Sequence, residues 1–247
     1  MVQGAWVCAV SRIAIIAAMP GELKPLTRGW QHSRRNGVDL WSFNNGEWIA
    51  ACAGAGVSAA SHAFAEVEKL GPIDKVISTG WAGALREELA TGQSFDVSVV
   101  IDTRTGERFV AAGPPNNCWL VTSPRVADAT EKKRLASTYS AALVDMEAAG
   151  VARLARMRGI PFYCIKGISD GYSDQLPDFN RFISPNGQFK MARFMVFALL
   201  RPWYWHGLIR MGENSRKAAR NIAQSLLDFL ENRGPASTRN GNPNHQR

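Results

Sequence analysis

The chain has 247 residues, 46% of them hydrophobic, and a formal charge of +8, which allows one sizeable buried core. Its cysteines (Cys8, Cys52, Cys118 and Cys164) form no CxxC pair and its histidines show no ligand spacing, so neither a disulfide framework nor a metal site is expected. Residues 186–233 hold eight Lys/Arg against three Asp/Glu. The positive charge is therefore regional, and no motif that reads nucleic acid accompanies it.

Short apolar runs alternate with helical stretches along the chain. The predicted strands cover residues 13–18, the runs on either side of Asn44-Asn45-Gly46, 75–80, 94–102 and 160–168. The predicted helices cover residues 57–70, 145–158 and about 213–232. This alternation predicts a single α/β domain over residues 1–233 with a mixed sheet. The tail, residues 234–247, is rich in Gly, Pro and Asn and is expected to be disordered.

The apolar N-terminal stretch AWVCAVSRIAIIAAM is interrupted by Ser11 and Arg12 and has no basic start. It is a poor signal peptide and too broken for a membrane span, so it predicts a buried strand. The later apolar run from Phe194 to Leu200 is also too short to span a bilayer. A cytoplasmic location is the expectation.

Two glycine-rich stretches are candidates for a binding site. GAGVSA at 54–59 matches GxGxxA, but Asp74 precedes the next strand instead of ending it, so dinucleotide binding is weakly supported. A tight turn whose amides approach a polar ligand is favoured, and a purely structural turn stays open. STGWAGAL at 78–85 lacks the GxSxG of a serine hydrolase. Its glycines and Trp81 can wall a pocket.

Four acids stand at the ends of predicted elements: Glu22, Asp145, Glu147 and Asp170. Glu22 and Asp170 each follow a strand, and ligand crevices open where strands of an α/β sheet end. The alternative is that Asp145 caps its helix, Asp170 caps a turn and Glu22 is solvated. Position alone leaves both interpretations open.

Four ordered stretches together resemble the nucleoside phosphorylase and nucleosidase superfamily, which includes methylthioadenosine/S-adenosylhomocysteine nucleosidases. They are IAIIAAMPGEL, GAG at 54–56, STGWAGAL and VDMEAAGVARLARMRGIPFYCIKGISD. The resemblance runs over most of residues 13–170. It implies a three-layer α/β fold with a central mixed, partly barrel-like sheet flanked by helices. It also implies a homo-oligomer and a reaction without a cofactor.

The same resemblance implies roles for individual residues. Glu22 takes the place of the acid that activates water, Met146 and Glu147 of the residues that hold the ribose, and Asp170 of the aspartate that serves the base. The other implied contacts lie at Gly54, Gly80, Trp81 and Ser169.

These roles fit cleavage of an N-glycosidic bond, which passes through a ribosyl cation. Protonation of the purine at N7 improves the leaving group, and Asp170 is the expected donor, oriented by Ser169. As a carboxylic acid it must then hold a proton near neutral pH. Glu147 lies near the developing charge on the sugar, where it favours the transition state. The leading hypothesis is a purine nucleosidase that releases adenine from a 5′-substituted adenosine.

The nucleophile is predicted from residue types. The family's phosphorylases place arginines and a serine where this chain has Glu22, Ser78 and Trp81, and a carboxylate repels phosphate, so hydrolysis is favoured. Related nucleosidases carry a small hydroxyl residue in place of Trp81, and a reshaped pocket is expected. Phosphorolysis, with phosphate as co-substrate, stays open.

A narrower resemblance concerns the hopanoid-associated phosphorylase branch. It rests on TEKKRLASTYSAALVDMEAAGVARLA, DQLPDFNRFISPNGQF and LLRPWYWHGLIRMGENSRKAARN. It implies phosphate-dependent cleavage of adenosylhopane, a polycyclic lipid nucleoside, in hopanoid biosynthesis.

Residues 189–210 combine aromatic and basic side chains. They hold Phe189, Phe194, Phe197, Trp203, Tyr204 and Trp205 together with Lys190, Arg193, Arg201 and Arg210. This mixture is typical of an interfacial element, which makes the segment a candidate for peripheral membrane contact. A core-packing helix with solvated basic residues is the alternative. A non-catalytic homologue that binds a nucleoside or a membrane is the expectation if Trp81 blocks the pocket.

Overall fold

The computed structural model describes residues 12–174, 178–184, 190–200 and 205–233. The N-terminal stretch before Arg12 and the predicted tail at 234–247 lie outside the described residues. The strands are β1 Ile13–Ala17, β2 Gln31–Arg35, β3 Val38–Phe43, β4 Trp48–Cys52, β5 Lys75–Ala84, β6 Ser94–Asp96, β7 Val99–Asp102, β8 Arg108–Val110, β9 Trp119–Thr122, β10 Leu143–Asp145 and β11 Phe162–Asp170. The helices are α1 Pro20–Leu23, α2 Val57–Glu68, α3 Ala129–Tyr139, α4 Ala148–Arg158, α5 Met191–Leu199 and α6 Trp205–Arg233.

One mixed sheet of eleven strands organises these elements, with the order β2-β3-β4-β1-β5-β10-β9-β7-β8. The ten-residue strand β5 is its centre: it pairs parallel with β1, antiparallel with β10 and, along its other edge, parallel with β11. β11 pairs in turn with β6. Among the described strands the sheet is not closed into a barrel.

Helices cover both faces of the sheet and enclose separate apolar clusters. α2 and α4 pack on one face around fully buried residues such as Phe64 and Val151. α6 packs on the other face against β11 and β5, where Ile222 and Leu226 are buried beside Ile165. α3 closes a third cluster around Leu135. The α/β class, with a mixed sheet flanked by helices, is therefore confirmed.

The structure corrects several predicted boundaries. The hairpin at Asn44-Asn45-Gly46 and helix α2 are confirmed. The stretch predicted as one strand at 94–102 forms β6 and β7, which pair with different partners. The glycine stretch at 78–85 is not a loop, because β5 continues through it to Ala84. Helix α4 begins at Ala148 instead of Asp145, and α6 begins at Trp205, well before the predicted 213.

Strand pairing also positions the end of β11. The pairing of β11 with β5 shifts register between Ile168 and Asp170, so that Asp170 pairs with Gly83. Such a bulge re-aims a side chain at the end of a strand. Within the described ranges, no helix is long and apolar enough to cross a membrane.

Candidate active site

A cavity of about 390 Å³ opens where β1, β10 and β11 end. Its lining includes six of the predicted site residues, namely Glu22, Trp81, Met146, Glu147, Ser169 and Asp170. The two predicted glycines are not part of that lining. Glu22 and Asp170 line the same cavity, which is one of the two interpretations that their positions in the sequence left open.

Glu22 is held by backbone donors from two elements. Its Oε2 accepts hydrogen bonds from the N–H groups of Ala18 and Met19, both at 2.8 Å, and its Oε1 accepts one from Trp81, also at 2.8 Å. The residue is 4% exposed, so it is not a solvated surface acid. Burial raises the pKa of Glu22, and the three N–H groups and the charge of Lys166 only partly oppose this.

Gly80 and Trp81 shape the surroundings of Glu22. A Cβ atom on Gly80 would lie 2.7 Å from Oε1 of Glu22, and the φ of +122° there favours glycine. The indole Nε1 of Trp81 donates to the carbonyl of Ser215 on α6 at 3.0 Å. The indole ring thus lines the cavity as an apolar wall, while its polar atom is bonded away to α6.

Glu147 is the buried acid at the start of α4. Its Oε1 accepts a hydrogen bond from the N–H of Gly56 at 2.7 Å. The GAG loop therefore directs an amide at a side chain of the cavity, and Gly54 supports this loop by donating to the carbonyl of Ala18 at 3.0 Å. Burial and the nearby Asp145 raise the pKa of Glu147, while Lys166 opposes the change.

Asp145 caps α4, as one sequence interpretation proposed, but it also has two further partners, Thr122 and Lys166. Its Oδ2 accepts from the N–H of Ala148 at 2.9 Å and its Oδ1 from the hydroxyl of Thr122 at 2.8 Å. Nζ of Lys166 lies 2.9 Å from the same Oδ2, and both side chains are fully buried. Burial acts to lower the pKa of Lys166, but the carboxylates of Asp145 and Glu147 outweigh it and raise that pKa.

Asp170 has donors on both carboxylate oxygens. The hydroxyl of Ser169 lies 2.6 Å from Oδ1, and its expected role in orienting Asp170 stays a prediction. Nζ of Lys132, on α3, forms an ion pair with Oδ2 and also donates to the carbonyl of Gly171 at 2.6 Å. The carboxyl group of Asp170 is thus bonded to a hydroxyl group and to an ammonium group, both of which belong to buried residues.

Sequence reasoning missed both lysines. Lys132 stands in the polar run TEKKR, where it is indistinguishable from solvated helix residues. Lys166 lies inside the apolar run FYCIKGI, and a lone charge in a buried strand is a signal that it has a buried partner. In the described residues, no group of three or more His, Cys, Asp or Glu side chains is arranged to hold a metal ion.

The far wall of the cavity is apolar and comes from the C-terminal part of the chain. Its members share a large hydrophobic side chain and lie on the short 3₁₀ helix Phe179–Phe182 and the residue after it, on α5 and on α6: Phe179, Ile183, Phe194, Leu208 and Met211. Phe194 also contacts the rings of Phe179 and Phe182 at 5.6 and 5.5 Å between centroids. The cavity lining thus combines the charged groups described above with a large hydrophobic part from the C-terminal region.

The family model described as the phosphorylase superfamily matches residues 12–106 and 105–199. The chain therefore belongs to the phosphorylase superfamily and is an enzyme of that superfamily. No curated protein matches the sequence.

Several solved structures have the same fold. A 5′-methylthioadenosine/S-adenosylhomocysteine nucleosidase from Helicobacter pylori is 17% identical, with a TM-score of 0.69 over 91% of this chain and 99% of that one. The futalosine hydrolase of Helicobacter pylori is 16% identical, with a TM-score of 0.68 over 90% and 98%. The 5′-methylthioadenosine nucleosidase of Arabidopsis thaliana is 20% identical, with a TM-score of 0.67 over 91% and 98%. At these identities the likeness establishes a shared fold.

Proposed function

We propose that this protein is a purine nucleosidase that hydrolyses the N-glycosidic bond of a 5′-substituted adenosine and releases adenine. The family and the shared fold support cleavage of nucleosides. The charged groups in the cavity lining support the assignment of roles: Glu22 to water, Glu147 with Met146 to the ribose, and Asp170 to the base.

One observation carries the choice of water over phosphate. The three backbone N–H groups that converge in the cavity are already bonded to the carboxylate of Glu22. A phosphate nucleophile would need such donors, and it would meet a negative charge in their place. Ser78, the remaining hydroxyl of the expected phosphate position, is fully buried and is not part of the cavity lining.

The chemistry then follows from where charge develops. As the bond to the base breaks, positive charge grows on the ribose, next to the carboxyl group of Glu147. The ionised form of this group accepts hydrogen bonds from the sugar hydroxyls and stabilises that charge. Glu22 removes a proton from the attacking water. Its raised pKa makes it a stronger base than an exposed glutamate, provided that it is ionised. The apolar wall takes the 5′ substituent.

The test is release of adenine from methylthioadenosine, S-adenosylhomocysteine and a lipid-linked adenosine, each with and without phosphate. We expect release without phosphate, and a drop of roughly 10²- to 10⁴-fold in the Asp170→Asn variant. Asp96→Asn, an exposed aspartate outside the cavity, is the matched control. Release that requires phosphate and yields ribose 1-phosphate would instead support the phosphorylase alternative, with adenosylhopane as its candidate substrate.

If no adenine were released from any of the three substrates, with or without phosphate, the catalytic proposal would be wrong and the non-catalytic alternative would remain. Binding of an adenine nucleoside without turnover, measured by calorimetry, would then identify Trp81 as the residue to examine.

We also propose peripheral membrane contact through residues 189–210, of which 190–200 and 205–210 are described. Of the nine large apolar side chains that are exposed among the described residues, five lie here: Met195, Val196, Leu200, Trp205 and Ile209. Lys190, Arg193 and Arg210 are exposed beside them, and residues 186–212 contain no acid. Because Phe194 and Leu208 of the same elements line the cavity, this surface adjoins the apolar wall. Vesicle binding tests the contact.

Two further expectations stay predictions. A homo-oligomer, implied by the family resemblance, is tested by light scattering on the purified protein. A cytoplasmic location is tested by fractionation of cells that express the chain.

A further inference from the structure

Lys132 is the one basic side chain in the described residues that contacts the expected acid. It is 1% exposed, lines the same cavity as Asp170 and forms an ion pair with Oδ2 of that residue. Burying an ammonium group is costly unless it is paired and hydrogen-bonded. The burial of Lys132 therefore needs an explanation other than that of an ordinary solvated lysine.

Several features hold Lys132 in place. Asp128 caps α3 by accepting the N–H of Glu131 at 2.8 Å, and its own carbonyl accepts the N–H of Lys132 at 2.8 Å. A Cβ atom on Gly83 would lie 2.9 Å from Oδ2 of Asp170 and 3.0 Å from Cε of Lys132. The absence of a side chain at Gly83 thus makes room for the pair.

We propose that Lys132 is a positioning residue that keeps Asp170 ionised in the free enzyme and supplies, through Asp170, the proton that the departing purine receives. The proposal rests on the proposed nucleosidase function. In this scheme Asp170 passes on a proton from Lys132, whereas the sequence analysis expected Asp170 to hold that proton itself. In the structure Oδ1 faces the hydroxyl of Ser169 and Oδ2 faces the ammonium group, so a proton on either oxygen would compete with a donor already in place.

The protons and electrons balance in this scheme. A proton passes from Nζ of Lys132 to Oδ2 of Asp170 and on to N7 of the base, while the electron pair of the C1′–N9 bond moves to the base, which leaves neutral. Water adds to C1′ and gives its proton to Glu22. Lys132 ends neutral and Glu22 protonated, so their summed charge is unchanged, and exchange with solvent restores both.

The first test is the pH dependence of adenine release by Lys132→Met, with Lys133→Met as control because Lys133 is exposed on the same helix. We expect kcat at neutral pH to fall roughly 10²-fold while KM changes far less. The alkaline limb of the profile should move toward acid, because Asp170 must then carry the proton itself. The other charged groups that line the cavity are Glu22, Asp145, Glu147 and Arg125, and all remain in the variant.

A double variant separates this role from a structural one. If Lys132 acts through Asp170, then adding Lys132→Met to Asp170→Asn lowers the rate no further than Asp170→Asn alone. A Lys132→Met protein that is merely less stable, with a pH profile of unchanged shape, would overturn the proposal, and so would fully additive losses.

The second test needs no turnover. The carboxyl ¹³C signal of Asp170, assigned by its loss in Asp170→Asn, should be that of an ionised group at neutral pH in the wild-type protein. In Lys132→Met it should become protonated at higher pH than in the wild type. A protonated Asp170 in the wild type at neutral pH would contradict the inference. A wild-type protein without activity would contradict the proposed function alone, since the signal still tests the pair.

Discussion

The protonation of Glu147 links the cavity to the stability of the fold. Burial and the charge of Asp145 raise its pKa from 4.5 to about 8. A raised carboxyl pKa means that the native state binds the proton more tightly than the unfolded chain does. Its contribution to stability is therefore complete below the unfolded value and is lost as the pH rises through the folded one.

Replacement of Glu147 by glutamine should remove this dependence. We expect the melting temperature of Glu147→Gln, relative to the wild type, to rise progressively between pH 4.5 and about 8, since each pKa unit corresponds to about 1.4 kcal/mol. Calorimetry at several pH values measures the difference. Glu88→Gln, an exposed carboxylate, is the control and should show no such trend. A constant difference for Glu147→Gln would mean that the residue ionises as an ordinary surface acid.

Gly80 is the residue on which the placement of Glu22 depends. Gly80→Ala would put Cβ 2.7 Å from Oε1 of Glu22 at a φ of +122°, so we expect a loss of about 1 to 3 kcal/mol and a fall in kcat because Glu22 shifts. Gly113→Ala is the control, since no atom lies within 4 Å of the added Cβ. Urea unfolding and the adenine assay measure the two effects. Equal behaviour of the variants would contradict the claimed fit.

At the scale of single residues, the sequence identifies the acidic side chains of the site better than the lysine side chains. Glu22, Glu147 and Asp170 became candidates because each lies near the end or the start of a recognisable element, and the resemblance to the superfamily then assigned their roles. Lys132 could not, because its burial depends on contacts of its side chain with Asp170 and Gly171, which are distant in the chain. The pattern around Lys132 is that of a solvated helix, and only the tertiary fold reveals its partner.

At the scale of elements, the close approach of α6 to β11 depends on Gly167. A Cβ atom there would lie 2.8 Å from Cδ1 of Ile222 and 3.1 Å from the Cβ of Ala218. The helix carries the carbonyl of Ser215, which holds the indole of Trp81. Packing at Gly167 therefore supports the wall of the cavity that Trp81 forms.

We expect Gly167→Ala to lower the free energy of unfolding by about 1 to 3 kcal/mol through overpacking. Adding Ile222→Val should recover part of this loss, because it removes the crowded methyl group. Gly207→Ala, in the same helix with no atom within 4 Å, should instead be neutral or stabilising. Urea denaturation measures all four proteins. If Gly167→Ala unfolded at the wild-type midpoint, the contact between α6 and β11 would be looser than these distances indicate.

Element boundaries could be predicted where local signals are strong and not where pairing decides. The hairpin at Asn44-Asn45-Gly46 is set by its turn residues. β5 continues past its predicted end because β10 and β11 pair with its glycine-rich half. β6 is likewise separate from β7 because β6 pairs with β11 and β7 pairs with β9. No local pattern contains that information, since the partners are distant in the chain.

At the scale of the whole molecule, the cavity joins two unlike parts of the chain. Its acids come from α1, from the ends of β10 and β11 and from the start of α4, whereas its apolar wall comes from the region after β11. The regional positive charge visible in the composition lies in this second part. Charge, exposed apolar surface and the cavity wall are therefore found in the same C-terminal elements.

Binding to vesicles should depend on this C-terminal surface. We expect sedimentation with anionic vesicles and little with neutral ones, because each basic residue near such a surface contributes about 1 kcal/mol and Lys190, Arg193 and Arg210 are exposed here. Added salt should weaken the binding. A Val196→Ser/Ile209→Ser variant should bind at least about tenfold more weakly, since it loses apolar area.

Val110→Ser is the matched control for that experiment. Val110 is 78% exposed on β8, outside the C-terminal surface, so its replacement should leave vesicle binding unchanged. Asp170→Asn should also bind normally, which separates membrane contact from catalysis. If added salt did not weaken vesicle binding, or if Val110→Ser weakened it as much as the double variant does, the surface around Val196 and Ile209 would not be the membrane contact. Those side chains would then be exposed for another reason, such as contact with a second copy of the chain.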